Sequence, residues 1–377
     1  MTRVTGDWLT GVAAQRVCAV LTDAGYQAWF VGGCVRNALI GQDVRDLDLS
    51  TNARPELVME LARDAGIKVV PTGIDHGTVT LVLDGTSFEV TTFRQDVATD
   101  GRRAVVAFAD TMIEDARRRD FTMNALYAGP DGAVADPLGG LPDLFARRVR
   151  FIEDADRRIK EDYLRILRFF RFHAWYGDPE AGIDADGLAA CADNIDGLAA
   201  LSAERITAEV LRLLAAPDPA PAVASMAATG ALAQVLAGAE AGGLAVLVHL
   251  EQAAGVQPAP LRRLAVLGGQ TDGLRLSKDQ ARELGLMMAE GDLPELAYRH
   301  GFAAARDAAL IRAALAGGKV GHDDLAALQD AARKIFPLTA ADLMPGLQGA
   351  ALGRALRQAE ARWIASGFTL TKDDLLG

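Results

Sequence analysis

The residues best placed to do chemistry lie in one short stretch, Phe30-Val31-Gly32-Gly33-Cys34-Val35-Arg36-Asn37, followed by Asp46-Leu47-Asp48. A glycine pair between an apolar run and a helix-like run lets backbone amides approach a phosphate at the positive end of a helix. Arg36, one turn on, can clamp the same group. Alone, that pattern is better read as a tight turn with a surface arginine. Asp46 and Asp48 change the balance, because a spacing of two on a strand points both carboxylates to one face, with Leu47 and Leu49 on the other. Adjacent carboxylates repel unless a cation or proton sits between them, and Mg2+ takes such oxygen ligands together with substrate phosphates. Glu89, in Phe88-Glu89-Val90, is either a third carboxylate from an adjacent strand or an exposed strand residue. Such a set suits two-metal phosphoryl transfer, in which one ion activates a hydroxyl and the other holds the leaving phosphates.

The elements that must position these groups are set by periodicity. Helices are expected near Trp8–Ala24, Val35–Ile40 and Pro55–Ala65, and a strand over the apolar run 28–31. Thr78–Leu83 and Ser87–Phe93 alternate like strands, and Asp84-Gly85-Thr86 reads as their hairpin connection. From Ile159 onward strand signals nearly vanish, and Ala- and Leu-rich helical segments break at Gly177-Asp178-Pro179, Pro217–Pro221, Gly242-Gly243, Gln257–Pro260 and Gly317-Gly318. The expected fold class is α+β: a small mixed β-sheet head with helices, then an all-helical remainder.

The chain has 377 residues, enough for two or more compact units. Cys18, Cys34 and Cys191 are scattered without metal or disulfide spacing, which points to a reducing compartment. No secretory pattern opens the chain and no run reaches the ~18 apolar residues of a membrane span, so a cytoplasmic protein without membrane contact is expected. The net charge of −11 opposes binding to a phosphate backbone. From Arg94 to Arg171, however, 15 basic residues face 14 acidic ones, so this window is +1 and the rest carries −12. Nucleic-acid contact would therefore be local.

The run Gly32-Gly33-x-Val35-Arg36 through Gly41 to Asp46-x-Asp48 resembles the signature of the CCA-adding tRNA nucleotidyltransferases and poly(A) polymerases, class II, bacterial type. Pro71–Thr78, Phe88–Arg94, Arg118-Arg119-Asp120-Phe121-Thr122-Met123-Asn124-Ala125, Asp136–Gly140 and Glu161-Asp162-Tyr163-Leu164-Arg165-Ile166-Leu167-Arg168 come in family order. With a weaker match near Glu204 they span roughly the first 210 residues. The resemblance implies a nucleotidyltransferase head (palm) over 1–150, a helical neck with base recognition over 151–215, and a tRNA-binding body and tail over 216–377. It implies Asp46 and Asp48 as metal ligands, catalytic together with Glu89, and Mg2+ as cofactor. It places Gly33, Arg36 and Arg119 around the triphosphate. Asp162 and Arg165, three apart on a helix, would share a face and match the edges of cytosine or adenine in place of a template. Arg168 and Arg171 would continue that face and hold the nucleotide. Thr122 and Asn124 either shape the ribose site, with Asp120 orienting Arg119, or all three only cap and pack.

The implied activity is template-independent addition of C and A, from CTP and ATP, to a tRNA 3′ end. A poly(A) polymerase or an enzyme restricted to A or C is the alternative, and a non-catalytic helical scaffold a remote one. Pro71–Thr78 and Phe88–Arg94 favour the CCA-adding type, as does the acidic second half. The polar stretch between Arg94 and Met112, with Asp100-Gly101-Arg102-Arg103, resembles the family's mobile loop. Glu204-Arg205-Ile206-x-x-Glu209 resembles a neck segment, and an internal helix ion-pair pattern explains it equally well. His322-Asp323, among five histidines, is read as a surface or capping pair rather than a phosphohydrolase metal site. Asn37 stands where the family usually has aspartate, which weakens an ion pair that would position Arg36.

Overall fold

The structure, a computed structural model, describes residues 2–71, 73–99, 104–344 and 346–377. It divides into two compact units, Met1–Leu213 with Pro221–Ala237, and Leu214–Ala220 with Gly238–Gly377. The α+β reading holds, with every strand in the first unit.

Two short helices, α1 (Asp7–Thr10) and α2 (Val12–Thr22), stand where one was expected, because the chain is extended at Gly11. Strand β1 (Trp29–Val31), α3 (Gly33–Leu39), β2 (Leu47–Thr51) and α4 (Pro55–Asp64) come next, then β3 (Lys68–Val70), β4 (Thr78–Leu83) and β5 (Thr86–Thr92). The β4–β5 turn is Asp84-Gly85, one residue tighter than expected, with φ of 50° and 78°. Positive φ at both positions gives a turn whose twist matches the flanking strands. With β8 (Tyr127–Ala128) and β9 (Val134–Ala135), the strands form a sheet ordered β3-β4-β5-β2-β1-β8-β9. Alternation assigns its faces: Leu47, Leu49, Val79, Leu81, Phe88 and Val90 are buried, and α4 packs against β3, β4 and β5.

The Arg94–Met112 stretch, expected as a polar loop, contains a separate hairpin of β6 (Arg94–Thr99) and β7 (Ala104–Phe108). Its tip, residues 100–103, lies outside the described residues, as does Thr72 of the Pro71–Thr78 motif.

After α5 (Met112–Arg117) and α6 (Leu141–Phe145), the first unit is helical: α7 (Ala155–Glu161), α8 (Leu164–Tyr176), α9 (Ala185–Asp193) and α10 (Ala203–Leu214). Helix α8 is locked to the segment after Arg119-Asp120 by aromatic packing. Phe121 lies 4.9 Å, centroid to centroid, from both Phe151 and Phe172, and Phe151 stacks on Phe169 at 5.3 Å. Each such ring contributes roughly 1.5–3 kcal/mol by leaving water. The Asp136–Gly140 motif supports the same segment. Asp136 accepts from the amides of Gly140 and Leu141, and a Cβ on Gly140 would stand 2.2 Å from the Thr122 carbonyl. Only glycine fits that approach.

The second unit is helical throughout its described residues. Its core holds Arg262 and Arg263, each 1% exposed, with Glu251 bridging both and Asp307 on the far side of Arg262. Among the described residues no helix is long and apolar enough to cross a membrane.

Candidate active site

Strand β2, between β5 and β1 in the sheet, carries Asp48. It pairs in parallel with β5, and this register sets Asp48 beside Glu89. Their Cα atoms are cross-strand partners on strands roughly 4.8 Å apart, so the two carboxylates rise from the same face. Asp46 precedes β2 rather than lying within it and is exposed. The expected pair on one strand is thus one strand residue and one loop residue. Burial, then Glu89 and Asp46, push the Asp48 carboxyl up to about 6, against the pull of Arg119. Negative charge is in excess here, and that is the condition under which a divalent cation binds. Among the described residues no group of three or more His, Cys, Asp or Glu side chains closes into a metal cage. The open acidic pair fits an ion that completes its shell with substrate phosphates and water, which is how Mg2+ usually binds.

Gly32 and Gly33 join β1 to α3. Gly32 has a left-handed φ of 71°, and a Cβ there would approach Arg119 Nη1 to 3.5 Å. Gly33 opens the helix and Arg36 lies within it, 6% exposed. Arg36 donates from Nη1 to Asn124 Oδ1 (2.5 Å), from Nη2 to Tyr176 Oη (2.7 Å), and from Nε and Nη2 to Asn37 Oδ1 (3.2 and 2.9 Å). Its guanidinium lies 3.9 Å from the Tyr176 ring centroid. Burial lowers its pKa.

Arg119 reaches beneath the glycine turn, held by Asp115 Oδ2 (3.0 Å), Tyr127 Oη (3.2 Å) and Ser50 Oγ (3.3 Å). Burial opposes its charge, but Tyr127 and Asp115 outweigh burial and raise its pKa. Asp115, fully buried, therefore orients Arg119. The expectation that Asp120 would do so is corrected: Asp120 accepts from Asn124 Nδ2 (2.9 Å) through one oxygen and pairs with Arg168 through the other. The cause is direction, since α5 ends just before Arg119 and places Asp115 one turn below it.

The neck residues are arranged differently from a single helical face. Asp162 is extended (φ −155°, ψ 104°) at the junction of α7 and α8, caps Leu164 N and pairs with Arg205 at 2.7 Å. Arg165 is 9% exposed and donates to Glu161 Oε2, Arg158 O and Arg118 O at 2.7–2.8 Å. Arg171 pairs with Glu209 at 2.6 Å. Arg36, Arg168 and Arg171 surround the Phe172 ring at 5.2, 5.3 and 4.6 Å. The Glu204–Glu209 segment thus reaches across to Asp162 and Arg171 rather than pairing only within its own helix. The structure gathers Gly33, Arg36 and Arg119 with Asp48 and Glu89, and joins them to Arg168 through Asp120 and Asn124. Sequence reasoning missed Asp115, Tyr127 and Tyr176, and named Arg205 only as part of the Glu204–Glu209 segment. The i, i+4 spacing of Asp115 and Arg119 was the one available signal.

Comparison with known proteins gives the family. Residues 28–150 match the family model described as the poly A polymerase head domain, and 182–241 the one described as a probable RNA and SrmB-binding site of polymerase A. The mitochondrial CCA tRNA nucleotidyltransferase 1 of Mus musculus is 34% identical over 374 residues, covering 92% of this chain and 84% of that protein. A CCA-adding enzyme of Geobacillus thermodenitrificans is 40% identical over 208 residues, covering 55% of this chain and 50% of its own length. The crystal structure of the Bacillus stearothermophilus CCA-adding enzyme in complex with CTP superposes with a TM-score of 0.74 at 28% identity, covering 96% of this chain and 94% of that one. From the extent of the mouse match and the head-domain match together, the chain belongs to the CCA-adding tRNA nucleotidyltransferase family, built on a poly(A) polymerase head.

Proposed function

We propose that this protein adds C and A nucleotides from CTP and ATP to the 3′ end of tRNA, with release of pyrophosphate. The observation that carries the reading is the parallel β2–β5 register that sets Asp48 beside Glu89, next to the Gly32-Gly33 turn and Arg36. Family membership brings divalent-metal chemistry, and Mg2+ is the ion we assign. Asp46 and Asp48 would hold it, and when bound it supplies the positive charge that favours the ionised 3′-hydroxyl and neutralises the triphosphate. Glu89 adds negative charge on the same face and strengthens the site for a divalent ion. Gly33, Arg36 and Arg119 receive the phosphates, and the fixed positions of both guanidiniums orient the α-phosphate for in-line attack. Asp162, Arg165, Arg168 and Arg171 are proposed to select and hold the nucleotide. Arg165 and Asp162 would have to exchange Glu161 and Arg205 for the base edge, so base selection competes with existing ion pairs.

We keep 1–150, 151–215 and 216–377 as head, neck and tRNA-binding body and tail. Three free, buried cysteines support a reducing compartment, and we assign the cytoplasm. The test is incubation with Mg2+ and a tRNA transcript lacking its last three nucleotides, with CTP and ATP singly and together, read at single-nucleotide resolution. Two additions with CTP alone, a third only with ATP, and then arrest are expected. Long A tails would move the assignment to polyadenylation.

A further inference from the structure

Two amide oxygens take donors along the edge of the Arg36 guanidinium. Asn37 Oδ1 accepts from Nε and Nη2, and Asn124 Oδ1 accepts from Nη1. Such bonds fix where the group sits, but hydrogen bonds tolerate a broad range of angle, so they define its tilt only loosely. The remaining support comes from α8. The guanidinium carbon lies 3.9 Å from the Tyr176 ring centroid and 5.2 Å from that of Phe172, and Tyr176 Oη accepts from Nη2 at 2.7 Å. Phe172 and Tyr176 are four residues apart and share a helix face, with their ring centroids 5.4 Å apart. A flat cation against an aromatic face is held in tilt as well as in place, and the contact gains strength away from water. Arg36 is 6% exposed.

Tyr176 is itself fixed. It is the last residue of α8, its carbonyl accepts from Arg147 Nε at 3.3 Å, and the next turn is tied back by Asp178 N to Arg147 O at 3.0 Å. The helix that ends on Arg36 also carries Arg165, eleven residues earlier and roughly 16 Å away along the axis. Its two ends therefore serve different parts of one nucleotide.

We propose that Tyr176 is a positioning residue for triphosphate binding: its ring sets the tilt of the Arg36 guanidinium and its hydroxyl holds Nη2, so that Arg36 meets the phosphates already oriented. This rests on the reading that Arg36 binds the triphosphate. CTP and ATP carry the same triphosphate, so the contribution of Tyr176 is common to both and separate from the base selection assigned to Asp162 and Arg165.

The experiment measures inorganic tripolyphosphate binding to the full chain by calorimetry. Steady-state addition of C and of A is followed in parallel, on transcripts lacking three nucleotides and one, with thermal melting as the fold control. Tyr176→Phe keeps the ring and loses the hydroxyl, so affinity should fall a few-fold. Tyr176→Leu loses both, and the fall should be on the order of ten- to a hundred-fold. KM for CTP and for ATP should rise by the same factor. In an Arg36→Gln background, Tyr176→Leu should cost nothing further, because the two act as one unit. If Arg36→Gln leaves tripolyphosphate binding unchanged, the triphosphate reading of Arg36 fails and the role of Tyr176 with it. If Arg36→Gln weakens binding and Tyr176→Leu does not, only the role given to Tyr176 fails. The same loss in both backgrounds, or a changed ratio of CTP to ATP use, would mean that Tyr176 acts by holding α8, and would overturn the proposal. Should Tyr176→Leu not fold, Tyr176→Phe decides in the two backgrounds: a few-fold loss that Arg36→Gln abolishes is expected, and no loss, or an equal one in both, overturns it.

Discussion

Replacing Asp115 with asparagine removes one charge and no volume, and the donors around that carboxylate set the cost. Asp115 is fully buried, and its two oxygens serve separate groups of donors. Oδ2 accepts from Tyr127 Oη at 2.7 Å and Arg119 Nη2 at 3.0 Å, and Oδ1 accepts from Arg118 Nε at 2.9 Å. An amide has one acceptor oxygen, so in either orientation its NH2 faces a donor. Breaking a buried ion pair from one side costs about 3–5 kcal/mol. Arg118 and Arg119 are 16% and 17% exposed, so water recovers part of their solvation and the lower end, about 3 kcal/mol, applies. For a unit of this size each 1 kcal/mol moves the melting midpoint by about 2–4 °C, which gives a drop of roughly 6–12 °C in the transition of the first unit. KM for nucleotide should rise by about an order of magnitude as Arg119 loses its orientation. Differential scanning calorimetry with initial-rate kinetics reads both. Asp131→Asn is the control, because its partner Arg3 is exposed and the loss should stay within about 0.5 kcal/mol. An Asp115→Asn midpoint within about 2 °C of wild type would refute the claim that this carboxylate holds both arginines.

Glu251→Gln should destabilise the second unit by about 3–5 kcal/mol, because it leaves Arg263, 1% exposed, without a carboxylate and Arg262 with Asp307 alone; calorimetry of the full chain should show that unit melting earlier. Acid should weaken the first unit in a defined window. Burial works against ionisation of Asp120, yet Arg168 and Asn124 bring its carboxyl down to about 2, and Arg119 and Arg118 hold Asp115 well below the usual range against the same burial penalty. Depressed carboxyls contribute fully above their unfolded pKa of about 3.9 and lose that contribution as pH falls through the folded value. Urea midpoints should therefore decline from about pH 4 towards pH 2, and Asp120→Asn should flatten that slope.

Strands β1, β2, β4 and β5, the β4–β5 hairpin and the helical second half were legible because alternation and helical spacing are local. Thr78–Leu83 and the Asp84-Gly85 turn needed only their own residues. Strands β3, β8 and β9, two or three residues long, are too short to show a period, and β6 and β7 flank a polar tip that read as loop. The acidic site was half legible. The spacing of Asp46 and Asp48 marked it, but the pairing of Asp48 with Glu89 depends on a parallel register across 41 residues that no local pattern encodes. The arginines of α8 read as one face. Their partners Asp120 and Glu209 lie 48 and 38 residues away, so the ion pairs that restrain them come from tertiary packing. Asn37 was legible as a departure from the family pattern, and its expected effect was a weakened hold on Arg36. The amide holds that arginine by two bonds to a neutral oxygen, with no ion pair at this position.

Asp46 and Asp48 are proposed to carry a metal-dependent nucleotidyl transfer, and the proposed function depends on that assignment above any other. The decisive assay is pyrophosphate release coupled to addition of a single C, titrated with Mg2+, in wild type and in an Asp46→Ala, Asp48→Ala double variant shown by circular dichroism to be folded. Saturable Mg2+ dependence is expected in the wild type, and a loss of at least about 10³-fold in the variant. Addition that persists in the folded variant, or proceeds in the wild type with EDTA, would overturn the assignment.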